Sequence, residues 1–211
     1  DSAGQWWPRH IIAGEDGTCN DIGLTVRGGR VRPANNIAAL TPGDIHVAQL
    51  DQSIRSTLFG PGGMVDVLRP AELHLHDLHD HLSRSHHNAR DPFKLFQLRQ
   101  AGKDSVLDEV RADADFLKYC HRDWLQTVVI ASNHDDHLRR WVTDADWKSD
   151  PVNARFYLRC AERMLGAIED EDNGFHLLEW ACREMGAPGA AVFLQPDQSW
   201  QVEGIECGLH G

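Results

Sequence analysis

Short apolar runs that end in polar turns form the central pattern of the sequence. The clearest run is Val-Val-Ile at residues 128–130, and a short run of β-branched apolar residues predicts a buried strand. Polar residues follow from Ser132, and residues 138–142 resume an apolar pattern. The stretch therefore predicts a strand, a polar turn and a helix. The polar turn lies at the carboxyl end of the strand, where open α/β sheets bind ligands.

Three more stretches repeat this layout, in which apolar residues are followed by acids and histidines. They are residues 38–46, 71–80 and 205–211. Because parallel strands that share a sheet bring their carboxyl ends to one edge, we expect these four strand ends to meet in one polar site. Its carboxylate, imidazole and amide groups make a metal ion the expected occupant.

The remaining pattern predicts an α/β fold. Apolar residues recur at three- and four-residue steps in helices expected at residues 103–119, 153–168 and 175–185. A shorter helix is expected at residues 51–58, with Asp51 as its N-cap. Further strands are expected at residues 36–40, 64–68, 72–75, 190–194 and 201–207. The order strand, helix, strand favours a parallel pair linked by a crossover.

The chain shows no internal repeat and no linker that would divide it. Residues 1–35 are rich in turns and predict hairpins, with a tight turn at the Arg-Gly-Gly-Arg of residues 27–30. Residues 83–92 are polar and predict a loop. The length of 211 residues suits one large domain, so we expect residues 1–211 to form a single domain.

Composition narrows the function classes. The formal charge of −11, with histidine neutral, argues against a large basic groove for nonspecific nucleic-acid binding. Five cysteines without a Cys-x-x-Cys pair indicate reduced thiols. No apolar run approaches the roughly 20 residues of a membrane span. We therefore expect a cytoplasmic protein with no membrane partner.

Histidine is the compositional exception, because the chain has 13, and six of them fall between His74 and His87. Imidazole is the commonest metal ligand in proteins. Carboxylates and imidazoles together suit divalent ions such as Mn²⁺, Fe²⁺ and Zn²⁺. The predicted strand ends offer both, in the order Asp44, His46, Asp77, Asp80, Asn133, His134 and His210.

This ordered set resembles the calcineurin-like metallophosphoesterase superfamily, and in particular a phage-encoded branch of it. The superfamily pattern runs Asp-x-His, Gly-Asp-x-x-Asp, Gly-Asn-His-Asp or -Glu, a lone His and a final Gly-His-x-His. Residues 43–46, 76–80 and 132–135 match the first three blocks in order. Two glycines of the pattern are replaced, by His76 and by Ser132.

The resemblance implies a two-sheet β-sandwich flanked by helices, with metals at the carboxyl ends of strands. It implies two divalent ions, Mn²⁺ first, with Fe²⁺, Zn²⁺ or Mg²⁺ as alternatives, and hydrolysis of a phosphate ester, with a phosphodiesterase or DNA nuclease favoured over a phosphomonoesterase. His134 would act as general acid, oriented by Asp80. Asp44 and His46 would hold the first metal and Asp77 would bridge the two. The implied ligands of the second metal are Asn133 and His210.

The final Gly-His-x-His block is absent from the 211 residues. We expect that the block lies beyond Gly211, that another imidazole replaces it, or that the metal site is weak. The candidates are His86 and His87, which would reach over the substrate or the metal from a loop, and His176, for which packing in the core is the favoured alternative.

Two other functions fit parts of the pattern. The first is a protein that binds metal without turnover, either as a degraded member of the superfamily or in a structural role. The second is a zinc amidohydrolase, which would use the His-x-His of His74 and His76 at a strand end. Both histidines alternate with leucines, so they share one strand face, where a core histidine with satisfied hydrogen bonds is the plainer interpretation.

Overall fold

The computed structural model describes residues 10–21, 23–33, 37–85, 88 and 91–209. The strands are β1 (Cys19–Asp21), β2 (Leu24–Arg27), β3 (Arg30–Pro33), β4 (Ala39–Leu40), β5 (Glu72–Leu75), β6 (Gln126–Val129), β7 (Val192–Phe193), β8 (Gln201–Val202) and β9 (Ile205–Glu206). The helices are α1 (Gln52–Phe59), α2 (Met64–Leu68), α3 (Pro92–Gln100), α4 (Val106–Cys120), α5 (His137–Asp144), α6 (Ala154–Glu169) and α7 (Leu177–Glu184).

A parallel sheet in the order β4-β5-β6-β7 forms the centre of the fold. Parallel neighbours need long crossover connections, and here α1 and α2 link β4 to β5, α3 and α4 link β5 to β6, and α5 to α7 link β6 to β7. The carboxyl ends of all four strands therefore lie at one edge. This confirms the predicted α/β class and the predicted parallel pairing of residues 72–75 with the strand near residue 128.

Both faces of the central strands are covered. Leu73, Leu75 and Val129 belong to the main apolar core with residues of α4 and α7, whereas Val128 and Ile130 pack with Leu194 in a smaller cluster. Alternate residues of a strand point to opposite faces, so β6 contributes to both clusters. Burial on both faces accounts for the continuous apolar run in the sequence.

The core beside the sheet contains a pair of phenylalanines. Phe59 ends α1 and Phe116 lies on α4, both fully buried, with their rings edge to face at 5.1 Å. We expect Phe116→Ala to lower the free energy of unfolding by about 3–5 kcal/mol, because it removes buried apolar surface and leaves a cavity. Urea unfolding measures this loss. Phe93→Ala is the matched control, since that ring is 80% exposed; equal losses in the two variants would contradict this packing.

The predicted hairpin turn is confirmed. β2 and β3 pair antiparallel, with Arg27 opposite Arg30. Gly28 and Gly29 between them have φ angles of 56° and 73°. A two-residue turn of this kind needs left-handed backbone at both positions, which glycine adopts without strain.

The strand predicted at residues 64–68 is wrong, because these residues form helix α2. A five-residue apolar segment does not distinguish strand from helix. Local bonds favour the helix here: Asp66 accepts from the amide of Gly62 and pairs with Arg122. Helix α3 was not predicted, although Asp91 caps it and Pro92 stands in its first turn, which is a recognised start signal.

The fourth predicted strand end also differs. β9 pairs antiparallel with β8 in a separate two-stranded sheet, so its carboxyl end does not join those of β4, β5 and β6. The fourth strand of the parallel sheet is β7 instead. His210, the metal ligand predicted after β9, lies outside the described residues.

None of the described helices is both long enough and apolar enough to cross a membrane.

Candidate metal centre

The loops that follow β4 and β5 run side by side. The amides of Ile45, His46 and Val47 donate to the carbonyl oxygens of residues 76, 77 and 78 at 3.2, 2.8 and 3.2 Å. These hydrogen bonds join the two loops beyond the ends of the strands. They fix the first two predicted sequence blocks against each other at the carboxyl edge of the sheet.

The first group of candidate ligands comprises His46, Asp80 and His134, which follow β4, β5 and β6. Nδ1 of His46 lies 3.4 Å from Oδ1 of Asp80, and Nδ1 of His134 lies 4.0 Å from the same oxygen. The two imidazole rings meet edge to face, with centroids 4.7 Å apart. Three side chains far apart in the sequence thus direct ligand atoms at one point.

The second group comprises Asp44, His76 and Asp77. Nδ1 of His76 lies 3.4 Å from Oδ1 of Asp44 and 3.6 Å from Oδ2 of Asp77. In each group, one ligand atom per residue lies within 4.8 Å of the others. The Asp77 side chain is almost fully buried, whereas that of Asp44 is 59% exposed, so the second group opens to solvent.

The spacing of these atoms fits a divalent ion. Nitrogen and oxygen ligands about 2.1 Å from a metal in tetrahedral geometry lie roughly 3.4 Å from each other. The closest pairs in both groups match that separation. Nδ1 of His46 and Nδ1 of His134 are buried and make no hydrogen bond to any described residue. Buried polar atoms usually have a partner, and a cation could supply one for Nδ1 of His46.

Two of the site residues have left-handed backbone, as do five other described non-glycine residues outside the two groups. His46 and Asp77 have positive φ angles of 44° and 51°. The left-handed conformation costs a non-glycine residue about 1–2 kcal/mol, and such strain concentrates at functional sites. Asp77 lies two residues past the end of β5 and His46 six residues past the end of β4, so the left-handed backbone turns both side chains in the loops at the carboxyl edge.

Neighbouring side chains orient the first group. Gln49 donates from Nε2 to Oδ2 of Asp80 at 2.6 Å. Asp135 accepts from the amide of His79 at 2.8 Å and from the hydroxyl of Ser132 at 3.0 Å. It therefore ties the loop after β5 to the loop after β6. Burial raises the pKa of Asp135 to about 7, although these hydrogen bonds and the charge of His79 oppose the rise.

A buried polar chain runs inward from the first group. Nδ1 of His79 lies 2.6 Å from Oδ2 of Asp113, and Nε2 of His79 lies 3.1 Å from Nδ1 of His81. Burial alone would lower the pKa of His79, but attraction to Asp113 raises it to about 9. Burial and the nearby charge of His79 hold the pKa of His81 well below its usual value. The chain thus holds a charged His79 between Asp113 and a neutral His81.

Comparison with known proteins gives one informative similarity. The chain is similar to Protein A1 of Escherichia phage T5, with 36% identity over 219 aligned residues that cover 100% of this chain and 39% of the phage protein. The chain thus spans about two fifths of that relative's length. No protein-family model matches the sequence, and no solved structure matches it.

Five of the sequence-predicted site residues come together, but their grouping differs from the one that the resemblance implies. Asp44 and His46, implied to share a metal, lie in different groups. Asp80 joins His46 and His134, while Asp44 joins Asp77. In a regular strand, residues 44 and 46 would share one face, but His46 has a left-handed backbone with a φ of 44°, so the segment is not regular there and the two side chains join different groups.

The other five predicted residues are Asn133, His176 and three that the structure does not describe. Asn133 lies in an exposed turn after β6. His86, His87 and His210 lie outside the described residues. His176 is not a ligand in this geometry, because it caps α7 by accepting the amide of Glu179 at Nδ1.

His76 is the site residue that the sequence analysis undervalued. His74, on the same strand face, is a core histidine with both ring nitrogens engaged, by Thr41 and by Glu72. This removes the His-x-His pair that the amidohydrolase alternative needs. His76 lies one residue beyond the end of β5, in the polar edge. Its replacement of a glycine in the superfamily pattern was the signal that could have marked it.

A cleft of about 1010 Å³ adjoins the first group. Its wall includes His137, whose ring lies 5.0 Å from that of His134, and the aromatic rings of Trp141 and Phe96. Arg84 and Arg140 also line it, each paired with an aspartate. The cleft therefore offers guanidinium and aromatic groups beside the candidate metal site.

Proposed function

We propose that the protein is a metal-dependent phosphoesterase that uses two divalent ions, Mn²⁺ first. The observation that carries the proposal is the meeting of His46, Asp80 and His134 at the ends of three parallel strands, beside Asp44 and Asp77. Ligand spacing, buried imidazole nitrogens and strained backbone at the same edge support it. The resemblance to the metallophosphoesterase pattern supplies the reaction class.

The residues would divide the work as follows. Asp44, His46 and Asp77 would hold the ions, with Asn133 and His210 as further ligands that the resemblance implies. Two divalent ions held there would polarise the phosphate and activate a water as the nucleophile. The carboxylates of the chain would supply the fixed negative charge that retains the cations. The imidazole of His134 would protonate the leaving group.

His134 would protonate the departing oxygen as general acid. Its Nδ1 faces Asp80 at 4.0 Å, so Asp80 would orient the ring and direct Nε2 to the substrate. Gln49 holds Asp80 on its other oxygen, and this fixes the carboxylate. A side chain 33% exposed at the cleft edge is accessible to a bound ester.

The structure also bears on the substrate. The cleft next to His137 combines aromatic rings, on which bases stack, with arginine side chains that are paired with aspartates. We therefore propose a phosphodiester substrate, with DNA as the first nucleic acid to test. The overall charge of −11 opposes tight nonspecific binding, so we expect turnover of short or single-stranded substrates before long duplexes.

The resemblance also suggests a more specific fold and a phage origin for the protein. We propose that the parallel sheet is one layer of a metallophosphoesterase-like two-sheet sandwich. The similarity to a phage protein supports a phage-encoded enzyme that acts in the host cytoplasm.

Hydrolysis assays test the proposed activity directly. Protein stripped of metal and then given Mn²⁺ should hydrolyse bis-p-nitrophenyl phosphate faster than p-nitrophenyl phosphate, and EDTA should abolish both reactions. Binding of Mn²⁺ without hydrolysis of any phosphate ester, including DNA oligonucleotides, would favour the alternative of a metal-binding protein without turnover and overturn the proposal.

Substitution of His134 tests its role as acid. We expect His134→Gln to lower kcat by about 10²–10⁴-fold, the usual contribution of a positioned proton donor, while Mn²⁺ affinity stays unchanged. A nitrophenolate leaving group needs little protonation, so the loss should be smaller with that ester than with DNA. Loss of Mn²⁺ binding in the variant would make His134 a ligand instead. His121→Gln, on an exposed histidine, is the matched control.

A further inference from the structure

We propose that His76 is a metal ligand through Nδ1 and completes a three-ligand cation site with Asp44 and Asp77. The proposal rests on the proposed function for the identity of the edge as a metal centre. It adds a ligand at a position that is glycine in the superfamily pattern. It also supplies an imidazole within the described residues, at a site where the sequence lacks the final histidine block.

The ring of His76 is fixed in the tautomer that a metal ligand needs. Nε2 lies 3.1 Å from the carbonyl oxygen of Pro42. A carbonyl oxygen can only accept, so Nε2 must carry the hydrogen. In the neutral ring, Nδ1 then bears the lone pair. Histidines that bind metals usually donate their other N–H to a backbone carbonyl or a carboxylate in this way.

The lone pair of Nδ1 is directed at two carboxylates. The distances from Nδ1 are 3.4 Å to Asp44 and 3.6 Å to Asp77. A charge-assisted hydrogen bond would be about 2.7–2.9 Å long, so both separations are too long for an imidazolium that donates to either acid. They agree with the roughly 3.4 Å between ligands that share a tetrahedral ion. A cation among the three atoms replaces repulsion between the lone pair and the carboxylates with three attractive contacts.

Strand geometry explains why His76 has this role and His74 does not. His74 is fully buried, and both of its ring nitrogens are engaged within the core. His76 stands two residues further on the same face, past the last residue of β5. There its side chain is 16% exposed, beside a carboxylate that is 59% exposed. An ion can therefore enter from solvent and find a ring that is already oriented.

Manganese binding to the 211-residue chain tests the proposal without reference to activity. We expect His76→Gln to weaken one Mn²⁺ site by more than about tenfold, since even residues that only orient a ligand contribute about 10–100-fold. The other site should be unchanged. In a His46→Gln background, spin-echo modulation from nitrogen bound to Mn²⁺ should remain, and adding His76→Gln should reduce it. His121→Gln is the control for loss of an exposed imidazole.

A measurement on the unsubstituted protein guards against a variant that fails to fold. Long-range ¹H–¹⁵N NMR should show Nδ1 of His76 without a proton in the metal-free protein, and Zn²⁺ should shift its resonance. A protonated Nδ1 that Zn²⁺ leaves unchanged would overturn the proposal, as would Mn²⁺ affinity unaltered by His76→Gln. Hydrolysis is measured separately: metal bound by His76 with no turnover refutes the proposed function alone, and turnover with His76 uninvolved refutes this inference alone.

Discussion

Asp77→Asn should lower Mn²⁺-dependent hydrolysis by about 10³-fold, because each 1.36 kcal/mol of lost transition-state stabilisation costs a factor of ten and bound metal supplies several kcal/mol. The amide is neutral, so the site loses the buried charge that is best placed to hold a cation. Asparagine tolerates left-handed backbone, and the φ of 51° at Asp77 is therefore preserved. Steady-state kinetics with bis-p-nitrophenyl phosphate, together with Mn²⁺ titration, measure the loss.

The matched control is Asp115→Asn on α4. That acid is exposed and pairs with Lys118, so the same chemical change occurs away from the site. We expect the control to keep the parent rate. A rate in Asp77→Asn within a few-fold of the parent would mean that this carboxylate does not hold a catalytic ion.

Asp113→Asn should destabilise the fold by about 3–5 kcal/mol, because it removes one partner of a buried ion pair and leaves the other uncompensated. Asp113 and His79 are both almost fully buried and lie 2.6 Å apart. Urea unfolding of the metal-free protein measures the change. Asp108→Asn is the matched control on the same helix, since its carboxylate is 58% exposed.

The same pair predicts how stability depends on pH. The folded-state pKa of His79, about 9, exceeds the ordinary value of 6.5. Its contribution is therefore fully present below pH 6.5 and is lost as the pH rises through about 9. The pKa of Asp135 is raised to about 7, so its contribution to stability is also lost as the pH rises, but at lower pH. Between pH 7.5 and 9.5, the change in stability therefore reports on His79. The parent should lose stability across that window and Asp113→Asn should lose much less; parallel curves would contradict a charged His79.

Most of the fold could be predicted from the sequence, because the strongest sequence signals are local. Periodic apolar spacing found α4, α6 and α7, and Asp51 marked the start of α1 as its N-cap. It failed where five residues were compatible with either helix or strand, as in α2. Prediction from the sequence also failed where strand pairing is non-local. Nothing in residues 205–206 shows that β9 pairs only with β8 in the described part of the chain.

The residues of the candidate site could be predicted from the sequence, but their arrangement could not. Sequence order found Asp44, His46, Asp77, Asp80 and His134, because their spacing follows the ends of strands. It did not give the grouping, because the left-handed backbone at His46 breaks the alternation that would have put Asp44 and His46 on one face. It could not show that His74 is satisfied while His76 faces two carboxylates, since the partners Thr41 and Pro42 come from another strand end.

The central claim is that the carboxyl edge of the parallel sheet holds two divalent ions. Crystals of the 211-residue chain grown with Mn²⁺ and measured at the manganese absorption edge test it most directly. The account predicts two anomalous peaks, one contacting His46 and the other contacting Asp44 and His76, with Asp77 beside them. Anomalous density absent from this edge, or present only at surface carboxylates, would contradict the account.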